Sequence, residues 1–383
     1  MSKKSNSFSD TKPLPVKEAV KAAGKQSEKP TDAASIREKN SAAITKSHTG
    51  LKSEKQKPKR RGCNPLTILL IFVVLVFGVF SLISIWAIQQ LRYEPTQLRQ
   101  MIADDAVYED EQIRNILVIG SDSRGDSGGR SDAMLLVTLS GRNKTITITS
   151  LMRDSYVSIP GHGCNKLNAA YVYGGATLLM DTIEANYHID VDEYVVIDFS
   201  AFVAVIDAFG GMELTISDAE AEGMNIILQA ELNLLMGDAV NADLLPGGGT
   251  YQMNGKQALA YSRLRYVGNA DYERTQRQRT VMQKLLEQMK SLRPGAWFSL
   301  IEDALPLIST NMEPFSLYVL SLRAPILLAA YDIQTLRLPA NNTYVNDTTE
   351  TGAAVLVVDF DANLTIFKQT VEEPYAVQNT SEE

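Results

Sequence analysis

Asn115-Ile-Leu-Val-Ile-Gly-Ser-Asp-Ser-Arg124, then Gly129-Arg-Ser-Asp-Ala-Met-Leu-Leu136, then Thr145-Ile-Thr-Ile-Thr-Ser-Leu-Met-Arg-Asp154 are three segments that each carry charge at one end. Their β-branched and apolar residues, Ile116–Gly120, Met134–Ser140 and Thr145–Met152, have the length and composition of strands. Ser140–Lys144, with Gly141 and Asn143, has the turn chemistry of a hairpin between the second and third. An antiparallel meander of these strands brings Asp122, Arg130 and Asp132 to one edge of a sheet, and Arg153-Asp154 arrives at the same edge. Three carboxylates among guanidiniums suit a metal and a phosphate: hard oxygens for a cation, planar forks for an anion. A surface salt-bridge cluster is the plainer alternative, and any single Arg–Asp pair would favour it.

Outward from the meander, Tyr194–Phe199 reads as a further buried strand. An apolar helix over Ser200–Phe209 follows and stops at Gly210-Gly211. Helical patterns recur at Gly175–Tyr187, Ala219–Leu235, Asn254–Tyr261 and Ala270–Leu292. Late strands at Thr335–Pro339 and Val355–Phe360 are expected to return to the sheet. Strands mixed with helices in this way argue for a layered α/β or α+β domain, and the chain shows no internal repeat.

A second charged segment, Ala260-Tyr-Ser-Arg-Leu-Arg-Tyr266, places Arg263 and Arg265 two residues apart, which on a strand is one face. After a loop over Val267–Asp271, Tyr272-Glu-Arg-Thr-Gln-Arg-Gln-Arg279 runs into a helix. Arg274 and Gln278 share one side of it, continued by the apolar Val281, Met282, Leu285 and Leu286. Such a helix aims donors at an anion from its first turns, with its dipole adding to the attraction. Arg277 and Arg279 fit a solvated basic face. Between the two segments, Lys166 follows the glycine-containing loop Ile159-Pro-Gly-His-Gly-Cys-Asn165 and can reach phosphate as a point charge. His162 reads as a solvated loop histidine, and Cys164 receives no role.

Leu66–Ile88 is an uninterrupted charge-free apolar run of 23 residues, about 34 Å as a helix and long enough to span a bilayer. Residues 1–62 hold 16 Lys and Arg against 6 Asp and Glu, whereas the remaining chain holds 21 against 39. The positive-inside rule therefore puts the N-terminus in the cytoplasm and everything after Leu91 outside. A cleaved signal peptide fits poorly, because the run is long, follows a tail of about sixty residues and lacks a small-residue cleavage site. The expected organisation is a disordered basic cytoplasmic tail (1–62), a transmembrane helix (63–91), a helical extracellular stem (92–112), a catalytic domain (113–375) and a frayed C-terminus (376–383). Cys63 and Cys164 fall on opposite sides of the membrane and cannot pair within one chain.

Seven motifs in order, GSDSR, GRSDAMLL, MRDSYVSIPGHG, NKLNAAYVYGG, FVAVIDAFGGMEL, ALAYSRLRY and RTQRQR, together resemble the LytR-CpsA-Psr family. The resemblance is dense from Asn115 to Arg279. It implies an α/β fold, an αβα-layered sandwich with a central mixed β-sheet and a groove for a polyprenyl chain, preceded by one transmembrane helix. It also implies a Gram-positive cell-membrane enzyme that moves an anionic glycopolymer (teichoic acid, capsule or another wall polysaccharide) from a polyprenyl-pyrophosphate carrier to peptidoglycan. The acceptor implied is the C6 hydroxyl of N-acetylmuramic acid.

Position by position, Asp122 and Asp132 match acids associated with Mg2+, with Mn2+ as a second candidate metal. Arg130, Arg153, Lys166, Arg263, Arg265, Arg274 and Gln278 match the polar and basic residues around the pyrophosphate. The proton acceptor is left between Asp122 and Asp154. Met152 before Arg153, Ala133 where Thr or Ser is commoner, and the compact spacing from Arg265 to Arg274 depart from the family pattern without removing an ionisable group. Three other readings compete: a hydrolase of the same lipid-linked glycans, a non-catalytic receptor or regulator that binds envelope polyanions, and a transcription regulator acting through the basic tail. The last would need DNA binding that such a tail does not supply specifically, and no nucleic-acid partner is expected.

Overall fold

The structure, a computed structural model, describes residues 65–95, 107–121, 131–265, 270–290 and 298–373, with the backbone alone at 65–68, 132 and 270–272. The proposed tail, Cys63, most of the proposed stem, Asp122, Arg130 and the last ten residues lie outside it. Helix α1 (Pro65–Gln90) is the apolar run, and Leu69–Gln90 is long and apolar enough to cross a membrane. One residue later, Arg92 and Tyr93 form strand β1. They join the main sheet where a helical stem was expected. The outer edge of a sheet strand offers unpaired backbone groups, and these two residues take them up.

The meander forms as expected. β2 (Ile113–Ser121), β3 (Ser131–Ser140) and β4 (Thr145–Leu151) pair antiparallel, each with its neighbour. The turn after β3 closes with Lys144 at φ 54°. Next come a hairpin of β5 (Tyr156–Ile159) and β6 (Gly163–Lys166), helix α2 (Leu167–Tyr187), β7 (Glu193–Ile197) and helix α3 (Phe199–Ala208). α2 begins eight residues before the expected start, because the helix runs on through a kink at Gly174 and Gly175. Gly174 sits so close to Leu178 that an added Cβ would lie 2.6 Å from the leucine Cβ.

Strands β8 (Met212–Ile216) and β9 (Gly249–Met253) make a separate ribbon. Between them, helix α4 (Asp218–Ile227) continues through a π turn into α5 (Asn233–Met236). Helices α6 (Gly255–Arg263) and α7 (Ala270–Met289) follow. The chain ends with β10 (Ile308–Thr310), α8 (Pro314–Ala330), β11 (Asp332–Leu338), β12 (Tyr344–Thr348), β13 (Ala354–Val358) and α9 (Phe360–Glu372).

The central sheet has seven strands in the order β1-β10-β7-β2-β3-β4-β11, with parallel and antiparallel neighbours. It is mixed, flanked by helices, and α/β as expected. One core unites Leu117, Ile119, Leu136, Leu179, Ile183 and Phe367, tying α2 and α9 to the sheet. A second, with Met212, Met224, Leu228, Leu259 and Val281, joins α4, α6 and α7 to the β8–β9 ribbon.

Two expectations are corrected. Val355–Phe360 does not return to the main sheet. β11 already occupies the edge of β4, so β13 pairs with β12 instead. Phe360 starts α9 under the cap of Asp359, whose side chain accepts from the Ala362 amide. Nor do Arg263 and Arg265 share a strand face. Asn254 and Gln257 form a capping box that starts α6, which runs to Arg263, and the chain leaves the helix at Leu264. Gly255 permits the approach of α6 to α3, since an added Cβ would lie 2.3 Å from the Val203 carbonyl oxygen.

Candidate functional site

The ends of β2 and β4 and the start of β3 lie at one end of the sheet. Ser121 pairs with Ser131, and a register shift between Gly120 and Ser121 leaves residue 132 as the extra residue of a bulge. β3 and β4 pair as far as Leu135 with Ser150. The Arg153-Asp154 turn after β4 is thus beside the start of β3. The backbone arrangement expected from the meander is present for Asp132, Arg153 and Asp154.

The turn is held from three directions. The Met152 amide donates to the Leu338 carbonyl at 2.8 Å, and the Leu356 amide to the Asp154 carbonyl at 2.9 Å. The first amides of α2, Leu167 and Asn168, donate to the carbonyls of Ser155 and Arg153 at 2.9 and 3.3 Å. Those donors are spent on the turn, so α2 fixes the site rather than offering its N-terminus to a ligand. The buried Tyr187 hydroxyl completes the brace at 2.9 Å from Ser155 Oγ.

On this frame the Lys166 ammonium donates to Asp154 Oδ1 at 2.7 Å, and Arg153 Nε stands 3.4 Å from Asp154 Oδ2. The three side chains are only 18–28% exposed, so their charges are screened less than a surface pair. Asn165 donates to the Tyr173 hydroxyl at 2.8 Å, and Tyr173 stacks on His162 with ring centroids 4.8 Å apart. An open cavity of about 550 Å³ is lined by Arg153, Asp154, Asn165, Lys166, Tyr173 and Arg265, among others. Residues from two distant segments therefore meet: among the described residues, three cations and one carboxylate surround one space. Asn165 and Tyr173 were not singled out from sequence. Tyr173 stands seven positions after Lys166, about two helical turns, and that spacing was the available signal.

The remaining expected residues sit where α6 ends against α7. Arg263 pairs with Glu231 (Nη2 to Oε1, 3.1 Å) and its guanidinium lies 4.4 Å from the centroid of the Phe199 ring. The Gln278 amide nitrogen is 3.5 Å from the Ser262 carbonyl. Arg274 is on the first turns of α7 and buried, with 2% exposed. Gln278 thus reaches the end of α6 that leads into Arg265, and none of Arg263, Arg274 and Gln278 is among the residues lining the cavity.

Arg277 and Arg279 correct an expectation. Neither is solvated: they are 5% and 6% exposed. Arg277 bonds Glu220 at 3.0 Å, Glu273 at 2.8 Å and the Leu264 carbonyl at 3.4 Å, and Arg279 bonds Gln276. Burial pulls the Glu220 carboxyl upward, but the Ser217 amide and hydroxyl and the Arg277 guanidinium together hold it below its ordinary value.

Side chains of Asp122 and Asp132 lie outside the described residues. Among the described residues no group of three or more His, Cys, Asp or Glu could hold a metal.

The family model described as the LytR_cpsA_psr family matches residues 89–369. Regulatory protein MsrR of Staphylococcus aureus (strain COL) is 29% identical over 260 residues, covering 68% of this chain and 74% of that protein. The polyisoprenyl-teichoic acid–peptidoglycan teichoic acid transferase TagU of Enterococcus faecalis (strain ATCC 700802 / V583) is 35% identical over 209 residues, 52% of this chain and 60% of TagU. Among solved structures, TagT bound to LI-WTA superposes with a TM-score of 0.56 at 25% identity, covering 73% of this chain and 98% of that one. TagT with bound octaprenyl pyrophosphate lipid gives a TM-score of 0.50 at 25% identity, with 73% and 95% covered.

Proposed function

Because the chain belongs to the LytR_cpsA_psr family, we propose that it is a membrane-anchored wall-glycopolymer transferase that takes its polymer from a polyprenyl-pyrophosphate carrier and joins it to peptidoglycan. The observation that carries this reading is the cavity shared by Arg153, Lys166 and Arg265. Among the described residues, three cations against one carboxylate suit a pyrophosphate. The similarity to TagU, named for teichoic acid transfer, and to TagT with octaprenyl pyrophosphate supports the same donor class.

In this reading Arg153, Lys166 and Arg265 hold the phosphate oxygens and stabilise the charge that develops on them. Asp154 aims Lys166 and Arg153 through its two oxygens. Asp122 and Asp132 would hold Mg2+, which when bound lowers the charge on the pyrophosphate. An acceptor hydroxyl, by family resemblance the C6 hydroxyl of N-acetylmuramic acid, forms a new O–P bond at the sugar-linked phosphorus. The bridging P–O bond breaks, polyprenyl phosphate leaves, and the hydroxyl proton passes to a carboxylate. Asp154, which accepts from Lys166, and Asp122 are the two candidates for that task. α1 crosses the membrane with its lysine-rich side in the cytoplasm, placing the sheet outside.

The test is full-length protein in lipid nanodiscs with a synthetic polyprenyl-pyrophosphate glycan, Mg2+ and peptidoglycan oligomers. Glycan covalently joined to the acceptor, and lost in Arg153→Ala and Arg265→Ala, supports the transferase. Polyprenyl phosphate released without joined product identifies a hydrolase instead.

A further inference from the structure

Helix α8 is apolar but barely buried. Of its 17 residues only Leu328 is buried, while Phe315 is 73% and Ile326 67% exposed. It contains no acidic residue, and its one charge is the exposed Arg323. Phe298, 50% exposed, precedes the π turn at Leu300–Ala304. Large apolar side chains left open in this way mark a surface that meets another apolar phase.

The position of α1 indicates which phase. From Leu69 to Phe77 every residue of α1 is exposed; from Gly78 to Gln90 most are partly covered, and Ser84 is 7% exposed. The cover consists of α8, the π turn and the following Leu305–Leu307 turn. The Tyr318 hydroxyl of α8 bonds Ser81 Oγ at 2.9 Å.

Depth follows from helix geometry. The 26 residues of α1 span about 39 Å, roughly 9 Å more than a hydrocarbon core. Ser81 stands nine residues before Gln90, about 14 Å along the axis. Even if the whole excess projects on the outer side, Ser81 and its partner Tyr318 lie about 5 Å inside the hydrocarbon boundary. There the Tyr318–Ser81 bond satisfies two hydroxyls that lipid could not. Arg323 has a stem long enough to carry its charge up to the headgroups.

We propose that α8, with Phe298 and the Leu300–Leu307 turns, is embedded in the outer leaflet beside α1, so that the domain sits in the bilayer surface instead of standing above it on a stem. The partner of this face is lipid acyl chain. This inference rests on α1 crossing the membrane.

Nitroxide labels test it in full-length protein reconstituted into phosphatidylglycerol–phosphatidylcholine nanodiscs. Phe315→Cys, Ile326→Cys, Val76→Cys and Val345→Cys are each made in a Cys63→Ser, Cys164→Ser background. Power-saturation spectroscopy then compares accessibility to oxygen with accessibility to a water-soluble nickel complex. The expected result is oxygen access with nickel exclusion at 315 and 326, as at 76, and nickel access at 345. Nickel access at 315 and 326 with a lipid signature at 76 overturns the embedded face and leaves the anchor standing. Exclusion of both reagents at 315 and 326 shows cover by protein, such as a second copy, and also overturns it. Nickel access at 76 removes the membrane anchor and the inference with it.

Discussion

Lys166 and Asp154 meet at 2.7 Å in the lining of the cavity, joining the end of β6 to the turn after β4. The pair is partly buried, and Arg153 occupies the other carboxylate oxygen. Asp154 thus sets where two of the three cavity cations point.

Replacing Asp154 with Ala is expected to weaken binding of a polyprenyl-pyrophosphate analogue by about tenfold, or about 1.4 kcal/mol. Asp154→Asn should recover part of that loss. A positioning role shows as a raised KM with the pH profile unchanged. Loss of the basic-form limb from the profile in Asp154→Asn would instead make Asp154 the proton acceptor.

Arg265→Ala should cost about 1.5–3 kcal/mol of donor binding, the usual worth of hydrogen bonds to a charged group. Arg265→Lys should restore charge but not the planar fork, and bind at an intermediate level. Isothermal titration with inorganic pyrophosphate in the presence of Mg2+ reads both. Equal affinity in all three proteins would remove Arg265 from the anion site.

Arg277 has a different expected signature. Its partners Glu220 and Glu273 and the Leu264 carbonyl fix the segment that leads into Arg265. Arg277→Met takes the cation from Glu220, whose side chain is 17% exposed, while the pair with the 40% exposed Glu273 adds little; the loss should be about 1–3 kcal/mol of stability. Calorimetry in detergent would show a melting temperature lowered by about 5 °C. An unchanged melting temperature would show that these pairs add nothing net to stability.

Asp192 supplies a pH dependence. Burial pushes its carboxyl up to about 6 against the counter-effect of the Asn115 amide, which donates to it at 2.6 Å. The folded protein therefore keeps a proton that the unfolded chain releases near its ordinary value of 3.8. Stability from this group is full below the unfolded value, falls as pH rises toward about 6, and is level above it. Asp192 as a whole residue is exposed at the surface, so solvent screening holds the loss to about 1 kcal/mol. Asp192→Asn keeps an acceptor for Asn115 without the charge. It should be more stable than the parent at pH 7.5 and nearly equal at pH 4, and denaturant midpoints at the two pH values decide this.

Much of the fold is legible locally because its causes are local. The length of α1, the alternation and turn residues of β2–β4, and the stop of α3 before Gly210 and Gly211, both at positive φ, depend on neighbours within a few residues. The motif spacing also carried the family. What sequence alone leaves open is where each arginine spends its charge. Arg153 and Arg265 face a cavity, whereas Arg277, between two residues of similar pattern, is taken by Glu220 at a separation of 57 positions. Residues on one helix look alike until a distant carboxylate is brought against one of them. β13 follows the same logic, since its partner depended on β11 having filled the edge of β4. Local periodicity decides whether a segment becomes a helix or a strand; the tertiary structure decides which charge is buried against a distant carboxylate and which lines the cavity, because that choice is made by groups far apart in the chain.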